Sequence, residues 1–118
     1  MAGITRLTRS GVYLARLDPA KGAEVGKLRP VVILTDQSLL EVDPPHVFVC
    51  PLSGRSAGEY QALHISLPVR DSLKVKSYAL VEHCRAISIR RLQAERLAKL
   101  EVEEINEIIR RLHRLAGW

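Results

Sequence analysis

The chain has 118 residues, of which 47% are hydrophobic and 26% are charged, and its formal net charge is +5. These proportions exclude a disordered chain and a collagen-like repeat, and the length suits one domain over residues 1–118. No apolar run approaches the roughly 18 residues that cross a bilayer, and no apolar segment follows the basic residues 1–10, so we expect a cytoplasmic protein. The positive charge favours a polyanionic or acidic partner.

The two cysteines, Cys50 and Cys84, each lie in an apolar stretch. Neither has a second cysteine, or a histidine pair at the spacing of a zinc site, within reach along the sequence. We therefore predict two small hydrophobic side chains, no disulfide framework, no metal site and no cofactor.

The first half of the chain contains three strand patterns, at residues 10–17, 31–35 and 46–52. The first ends at Asp18-Pro19, a pair that opens turns, and residues 20–27 are glycine-containing and charged, as is typical of an exposed loop. The second is a β-branched run, which predicts a strand buried on both faces. In the third, Pro51 indicates a sheet edge or a bulge.

The second half contains further strand patterns, at residues 62–67, 78–82 and 84–89, the last two being separate strands or one strand bent near His83. Residues 93–100 suit either a helical turn or an extended segment. Apolar residues then recur at helical spacing from Val102 to Leu115, with glutamates first and arginines last, which predicts a terminal helix that Gly117 stops. Five or six short strands and a closing helix predict a mainly β (α+β) fold, an SH3-like barrel with a C-terminal amphipathic helix.

Six short motifs carry a family resemblance: Gly11-Val12-Tyr13, Leu17-Asp18-Pro19, Gly22-Ala23-Glu24, residues 26–31 (Gly-Lys-Leu-Arg-Pro-Val), Cys50-Pro51-Leu52-Ser53, and residues 80–87. In order and spacing they resemble the MazF/PemK-like toxins of bacterial type II toxin-antitoxin systems over nearly the whole chain. The resemblance implies a CcdB/PemK-like barrel, a homodimer and a cognate acidic antitoxin. It also implies an mRNA interferase, an endoribonuclease that cuts single-stranded RNA at short sequences without a metal.

The resemblance implies that the catalytic residues are Arg29, Ser53 and Glu24, with Ser53 standing where the family has threonine. A guanidinium presents a planar fork to phosphate oxygens, and a hydroxyl donates one hydrogen bond to them. Glu24 would accept the proton of the ribose 2′-hydroxyl or hold Arg29. Each residue also has a structural interpretation: a surface arginine, a turn serine bonded to its own backbone, and a solvated loop glutamate.

Six further residues are predicted to contact RNA: Lys21, Lys27, Leu28, Arg55, His83 and Arg85. The loop cations would follow the RNA backbone unless they are only solvated, and His83, where the family often has glutamine, would bond or stack on a base. Tyr13 and Tyr60 are the tyrosines available for stacking, and Tyr13 is equally a core candidate. His46, His64 and His113 are predicted to be structural or surface residues.

Two other functions remain open on the sequence alone. The first is a non-catalytic, CcdB-like toxin that binds DNA gyrase, since those relatives share a tryptophan-containing tail and this chain ends in Gly117-Trp118. The second is an RNA-binding module without activity, because Ser53 and Val25 depart from the family pattern. The pairing of Arg29 with Ser53 favours the nuclease.

Overall fold

The computed structural model describes residues 7–18, 22 and 26–118. In this part of the chain the strands are β1 (Gly11–Arg16), β2 (Leu28–Ile33), β3 (His46–Ser53), β4 (Ile65–Leu67), β5 (Ser77–Ala79), β6 (Arg85–Ser88) and β7 (Leu92–Lys99). The α-helices are α1 (Gln37–Leu40) and α2 (Val102–Leu115), and three 3₁₀ turns occupy Gln61–Leu63, Val81–His83 and Ile89–Arg91. No helix among these residues is long and apolar enough to span a membrane.

The strands form one antiparallel sheet in the order β4-β5-β3-β2-β1-β7, and β6 pairs with the first half of β3. The predicted class, mainly β with a C-terminal helix, is confirmed. The sheet is not a closed barrel, because its end strands β4 and β7 are not paired with each other in the described residues. The connection after β4 spans the gap instead, and the Ser72 N–H donates to the Leu97 carbonyl of β7 at 2.9 Å.

The core lies on both faces of the sheet. On one face Val12 and Val32 pack in a cluster with Ile105 and Ile108 of α2, and on the other Tyr13 and its neighbours pack with Leu40 of α1. The β-branched run is therefore buried on both faces, as predicted. Burial of one apolar stripe and the electrostatically favourable order of charges explain why residues 102–115 form a helix.

Four details of the strand predictions were wrong or incomplete. Residues 93–100 belong mostly to a seventh strand, β7, and the first part of 62–67 is a 3₁₀ turn. The segment 78–82 is a strand only at its start, and the 3₁₀ turn at Val81–His83 makes β5 and β6 two separate strands. The edge or bulge inferred at Pro51 is wrong, because β3 has neighbouring strands along both of its edges: β2 on one, and β6 and then β5 on the other. Pro51 lies where β3 changes its second partner from β6 to β5, and its carbonyl accepts a hydrogen bond from the Leu80 N–H at 2.9 Å.

The two cysteines come together, which the sequence spacing did not predict. Both are free thiols, Cys50 is buried and Cys84 is half-buried. A hydrogen bond with Cys84 and burial together raise the pKa of the Cys50 thiol well above its ordinary value. Cys50 therefore behaves as the buried neutral side chain that the sequence suggested.

Candidate functional site

Arg29 and Ser53 lie on neighbouring strands at the same end of the sheet. Strands β2 and β3 pair with Val31 opposite Pro51 and Val32 opposite Cys50. Arg29 and Ser53 lie two residues beyond the last of these pairs, and the Arg29 side chain reaches β3 through its bond to the Leu52 carbonyl. Two residues that are 24 positions apart in the sequence are thereby brought to one rim of the sheet.

The Arg29 guanidinium is held by its neighbours yet keeps donors to spare. Its Nε donates to the Gly26 carbonyl at 3.1 Å, and its Nη1 donates to the Leu52 carbonyl at 3.3 Å. A guanidinium has five N–H bonds, so three remain for a ligand. The side chain is half-buried, and a cation oriented in this way suits a phosphate oxygen.

The Ser53 hydroxyl is oriented by the turn that follows β3. Its oxygen accepts a hydrogen bond from the Arg55 N–H at 3.2 Å, so the turn interpretation of this serine is part of the geometry. That bond uses the oxygen and leaves the hydroxyl hydrogen available to donate. Both roles suggested by the sequence are thus compatible at Ser53.

A groove of about 460 Å³ contains both residues. It is an open cleft at the end of the core, and its described lining is Leu14, Arg29, Pro30, Leu52, Ser53, Gly54, Ser72, Leu73, Lys74, Val75, Ser77 and Leu97. Residues 72–75 were assigned no role from the sequence, because they lie in a short connection without a recognisable motif. Their only signal was the pair of lysines, Lys74 and Lys76, interleaved with apolar Leu73 and Val75.

The other predicted site residues are placed less centrally. Glu24 and Lys21 lie outside the described residues. Lys27 and Arg55 are exposed, and Leu28, 44% exposed, lines a different groove that also contains Arg16 and Arg91. Arg55 borders the site through its backbone bond to Ser53.

His83 and Arg85 follow β5 and do not line the groove in the described part of the molecule. His83 lies in a 3₁₀ turn with its Nε2 3.7 Å from a Glu82 carboxylate oxygen. Arg85 begins β6, and its Nη1 is buried without a hydrogen-bond partner among the described residues.

The structure places the two tyrosines considered for stacking and two of the histidines. Tyr13 is 1% exposed and belongs to the core, whereas Tyr60 is 47% exposed and remains a stacking candidate. His46 and His113 are exposed. The Tyr13 hydroxyl accepts a hydrogen bond from the Thr8 N–H at 3.1 Å, which explains how its polar end is buried.

His64 forms a buried network beside the site that sequence reasoning did not identify. Its Nδ1 lies 2.7 Å from the Ser56 hydroxyl, and its Nε2 lies 2.9 Å from a Glu82 carboxylate oxygen. Arg111 of α2 donates to the His64 carbonyl at 2.8 Å. The network ties the segment after Ser53 to the turn after β5 and to the helix, so it braces one side of the site.

The described residues contain no group of three or more histidine, cysteine, aspartate or glutamate side chains that could hold a metal ion. The groove offers a fixed guanidinium from Arg29, a hydroxyl from Ser53 and an exposed lysine, Lys74. Such donors stabilise negative charge that develops on a phosphate or carbonyl oxygen.

Comparison with known proteins identifies the family. The family model for PemK-like, MazF-like toxins of type II toxin-antitoxin systems matches residues 8–116. The chain belongs to this family. The resemblance predicted from the short motifs is confirmed.

Relatives of this MazF-like toxin extend over nearly its whole length. A protein named Endoribonuclease MazF, from Staphylococcus saprophyticus, is 31% identical over 103 residues, which are 86% of this chain and 84% of that protein. The name of this relative supports the predicted enzyme class. The crystal structure of MazF (Form-I) from Deinococcus radiodurans aligns with a TM-score of 0.82 and 25% identity, covering 98% of this chain and 100% of that one.

A second solved structure, MazE-MazF (Form-II) from Deinococcus radiodurans, aligns with a TM-score of 0.74 at 24% identity, covering 97% of this chain and 98% of that one. At this identity the likeness concerns the fold. Together with the Form-I structure, it confirms the predicted architecture of a β-rich domain with a C-terminal helix.

Proposed function

We propose that this MazF-like toxin is a sequence-specific endoribonuclease that cuts single-stranded messenger RNA without a metal ion. The observation that carries the proposal is that Arg29 and Ser53, on the adjacent strands β2 and β3, line one groove with donors left free on both. Messenger RNA as substrate implies action in the cytoplasm. We treat the whole chain, residues 1–118, as the toxin domain.

The proposed reaction is an in-line attack by the ribose 2′-oxygen on the adjacent phosphorus. The bond from the 2′-oxygen to phosphorus forms as the bond from phosphorus to the 5′-oxygen breaks, giving a 2′,3′-cyclic phosphate and a 5′-hydroxyl. The 2′-hydroxyl gives up one proton to the Glu24 carboxylate, and the leaving 5′-oxygen gains one from solvent water. Arg29 and Ser53 donate hydrogen bonds to the non-bridging oxygens, where negative charge accumulates.

The proton acceptor in this proposal is Glu24, the loop carboxylate implied by the resemblance. Arg29 acts first as a charge-stabilising donor, because a guanidinium with an ordinary pKa is a poor base. Lys27, Leu28, Arg55, His83 and Arg85, with Lys21, supply contacts to flanking nucleotides.

The proposed partners are a second copy of the chain and an acidic antitoxin. Strand β6 pairs with β3 on one edge, and no strand covers its other edge in the described residues. A free strand edge is a ready site for another chain. A disordered acidic segment complements the net charge of +5 and would compete with RNA for the groove.

The decisive experiment incubates the purified protein with a long unstructured RNA in EDTA and maps the 5′ ends of the fragments. We expect cuts at one short sequence, with 5′-hydroxyl ends, and no cleavage when the 2′-hydroxyl at the cut site is replaced by hydrogen. Loss of activity in EDTA that magnesium restores would refute the metal-independent mechanism. Inhibition of gyrase without any RNA cleavage would favour the CcdB-like alternative.

Sedimentation equilibrium tests the dimer separately. At micromolar concentration we expect about twice the chain mass of 13.2 kDa. A monomer at that concentration would contradict the proposed dimer. It would not test the nuclease activity, which depends on the RNA experiment.

A further inference from the structure

The segment that follows Ser53 is attached to the fold through one side chain. Residues 54–60 are all exposed except Ser56, which is half-buried. A Cβ atom at Gly54 would meet no atom within 4 Å beyond its chain neighbours, so the start of the segment is not held by packing. The Ser56 hydroxyl lies 2.7 Å from Nδ1 of His64, whereas the other hydrogen bonds of residues 54–60 within the described chain are local to their own turns. Ser56 is therefore the attachment point of this segment.

The group to which Ser56 is attached is fixed on two further sides. The His64 side chain is only 2% exposed, and its Nε2 lies 2.9 and 3.0 Å from the two carboxylate oxygens of Glu82. Because a carboxylate only accepts, Nε2 carries the proton that faces Glu82, and Nδ1 of the neutral ring accepts the Ser56 hydroxyl hydrogen. Arg111 of α2 holds the His64 carbonyl at 2.8 Å. The imidazole is thus a rigid anchor for the segment.

We propose that Ser56 and His64 are positioning residues that hold the Ser53 hydroxyl in the orientation used for cleavage. The Ser53 oxygen accepts its hydrogen bond from the Arg55 N–H, and Arg55 immediately precedes Ser56. Anchoring Ser56 therefore fixes the peptide N–H that orients the Ser53 hydroxyl. Such precision matters because a misplacement of about 1 Å can cost about 10²-fold in rate. The inference rests on the proposed RNA cleavage, and neither Ser56 nor His64 contacts the RNA in it.

The test is a double-mutant cycle between Ser56 and Ser53. Ser56 is substituted rather than His64, because loss of the buried imidazole would also destabilise the fold. Ser56→Ala removes the hydroxyl and Ser56→Thr keeps it, and both Ser53→Ala and the Ser53→Ala, Ser56→Ala double variant are prepared. Ser38→Ala is the matched control, because Ser38 is an exposed serine on α1 whose hydroxyl also bonds a carboxylate, that of Asp36.

Single-turnover cleavage of an RNA with the mapped cut sequence is measured over a range of protein concentrations, and thermal melts establish that each variant is folded. We expect Ser56→Ala to lower the maximal rate at least about fivefold and to change the protein concentration at half-maximal rate less than about twofold. Ser56→Thr and Ser38→Ala should stay within about twofold of wild type. In the Ser53→Ala protein, Ser56→Ala should change the maximal rate less than about twofold, since the group on which it acts is already missing.

An unchanged maximal rate in a folded Ser56→Ala protein would overturn the positioning role, as would an equal loss of rate with and without Ser53. A loss confined to the half-maximal protein concentration would mean that Ser56 contacts the RNA itself and would overturn the role as well. Equal losses in Ser56→Ala and Ser56→Thr would exclude the hydroxyl as the attachment. If the wild-type protein cuts no RNA, the proposed function itself fails, so the two failures are distinguishable.

Discussion

Replacing Arg29 by alanine removes the guanidinium that lines the groove together with Ser53. Three of its five N–H bonds are free for a phosphate after those to Gly26 and Leu52 are counted. Loss of one preorganised donor costs about 10²–10³ in rate, or roughly 2.7–4 kcal/mol of transition-state stabilisation. Arg29 also bonds the Leu52 carbonyl next to Ser53, so its loss loosens the Ser53 hydroxyl as well. We therefore expect a loss of cleavage rate near the upper end of this range.

Arg29→Lys keeps the charge but loses both backbone bonds and the planar fork, so we expect it to recover less than about tenfold of the lost rate. The two lost hydrogen bonds should lower the free energy of unfolding by only about 1–3 kcal/mol, so the variants should stay folded. Arg114→Ala is the matched control, because it removes the same charge from an exposed position on the last turn of α2.

The assay is single-turnover cleavage of one short RNA at fixed salt, with a urea denaturation curve for each variant. Fixed salt is essential, because binding to single strands falls with a log-log slope of roughly −0.7 per phosphate contacted. A folded Arg29→Ala protein that cuts within about threefold of wild type would refute the reasoning. An equal loss of cleavage rate in Arg114→Ala would show that the effect of Arg29→Ala comes from net charge alone.

Three further outcomes follow from the geometry. Ser53→Ala should lower the cleavage rate by a factor similar to or smaller than that of Arg29→Ala. Ser53→Thr should retain or improve the rate, since the added methyl restricts the rotamer of the hydroxyl. Equal losses of rate in Ser53→Ala and Ser53→Thr would exclude the hydroxyl as the donor. His64→Ala should lower the free energy of unfolding by about 2–4 kcal/mol in urea titrations, because Glu82 loses its buried partner, and an unchanged midpoint would contradict this. Hydrogen bonding to Arg70 lowers the pKa of Glu104, so the pair stabilises above the unfolded value of about 4.3 and loses this contribution as pH falls through the folded value. Unfolding free energies at pH 7 and pH 3 should therefore differ less in Arg70→Ala than in wild type, and an equal difference would show that the pair does not contribute.

Local patterns in the sequence were sufficient for the main elements. The alternation in β1, the β-branched run in β2 and the 3.6-residue period of α2 depend on neighbouring residues and on which face is buried. The motifs around Arg29 and Ser53 were readable for the same reason, because each is a short run in one strand. Ambiguity arose in residues 93–100, where the leucines suit two periods and pairing with β1 decided for a strand.

The site itself depended on contacts between distant parts of the chain. The pairing of β2 with β3 brought Arg29 and Ser53 to one groove, and the Arg70–Glu104 and Ser72–Leu97 contacts fixed a segment of that groove that has no sequence motif. Pro51 was misjudged because a strand's neighbours, not its sequence, decide whether it lies at an edge. The amino-acid sequence by itself determined most of the strands, the terminal helix and the family, whereas pairing and packing across the sheet decided β7 and the groove, because those contacts join residues that no local pattern connects.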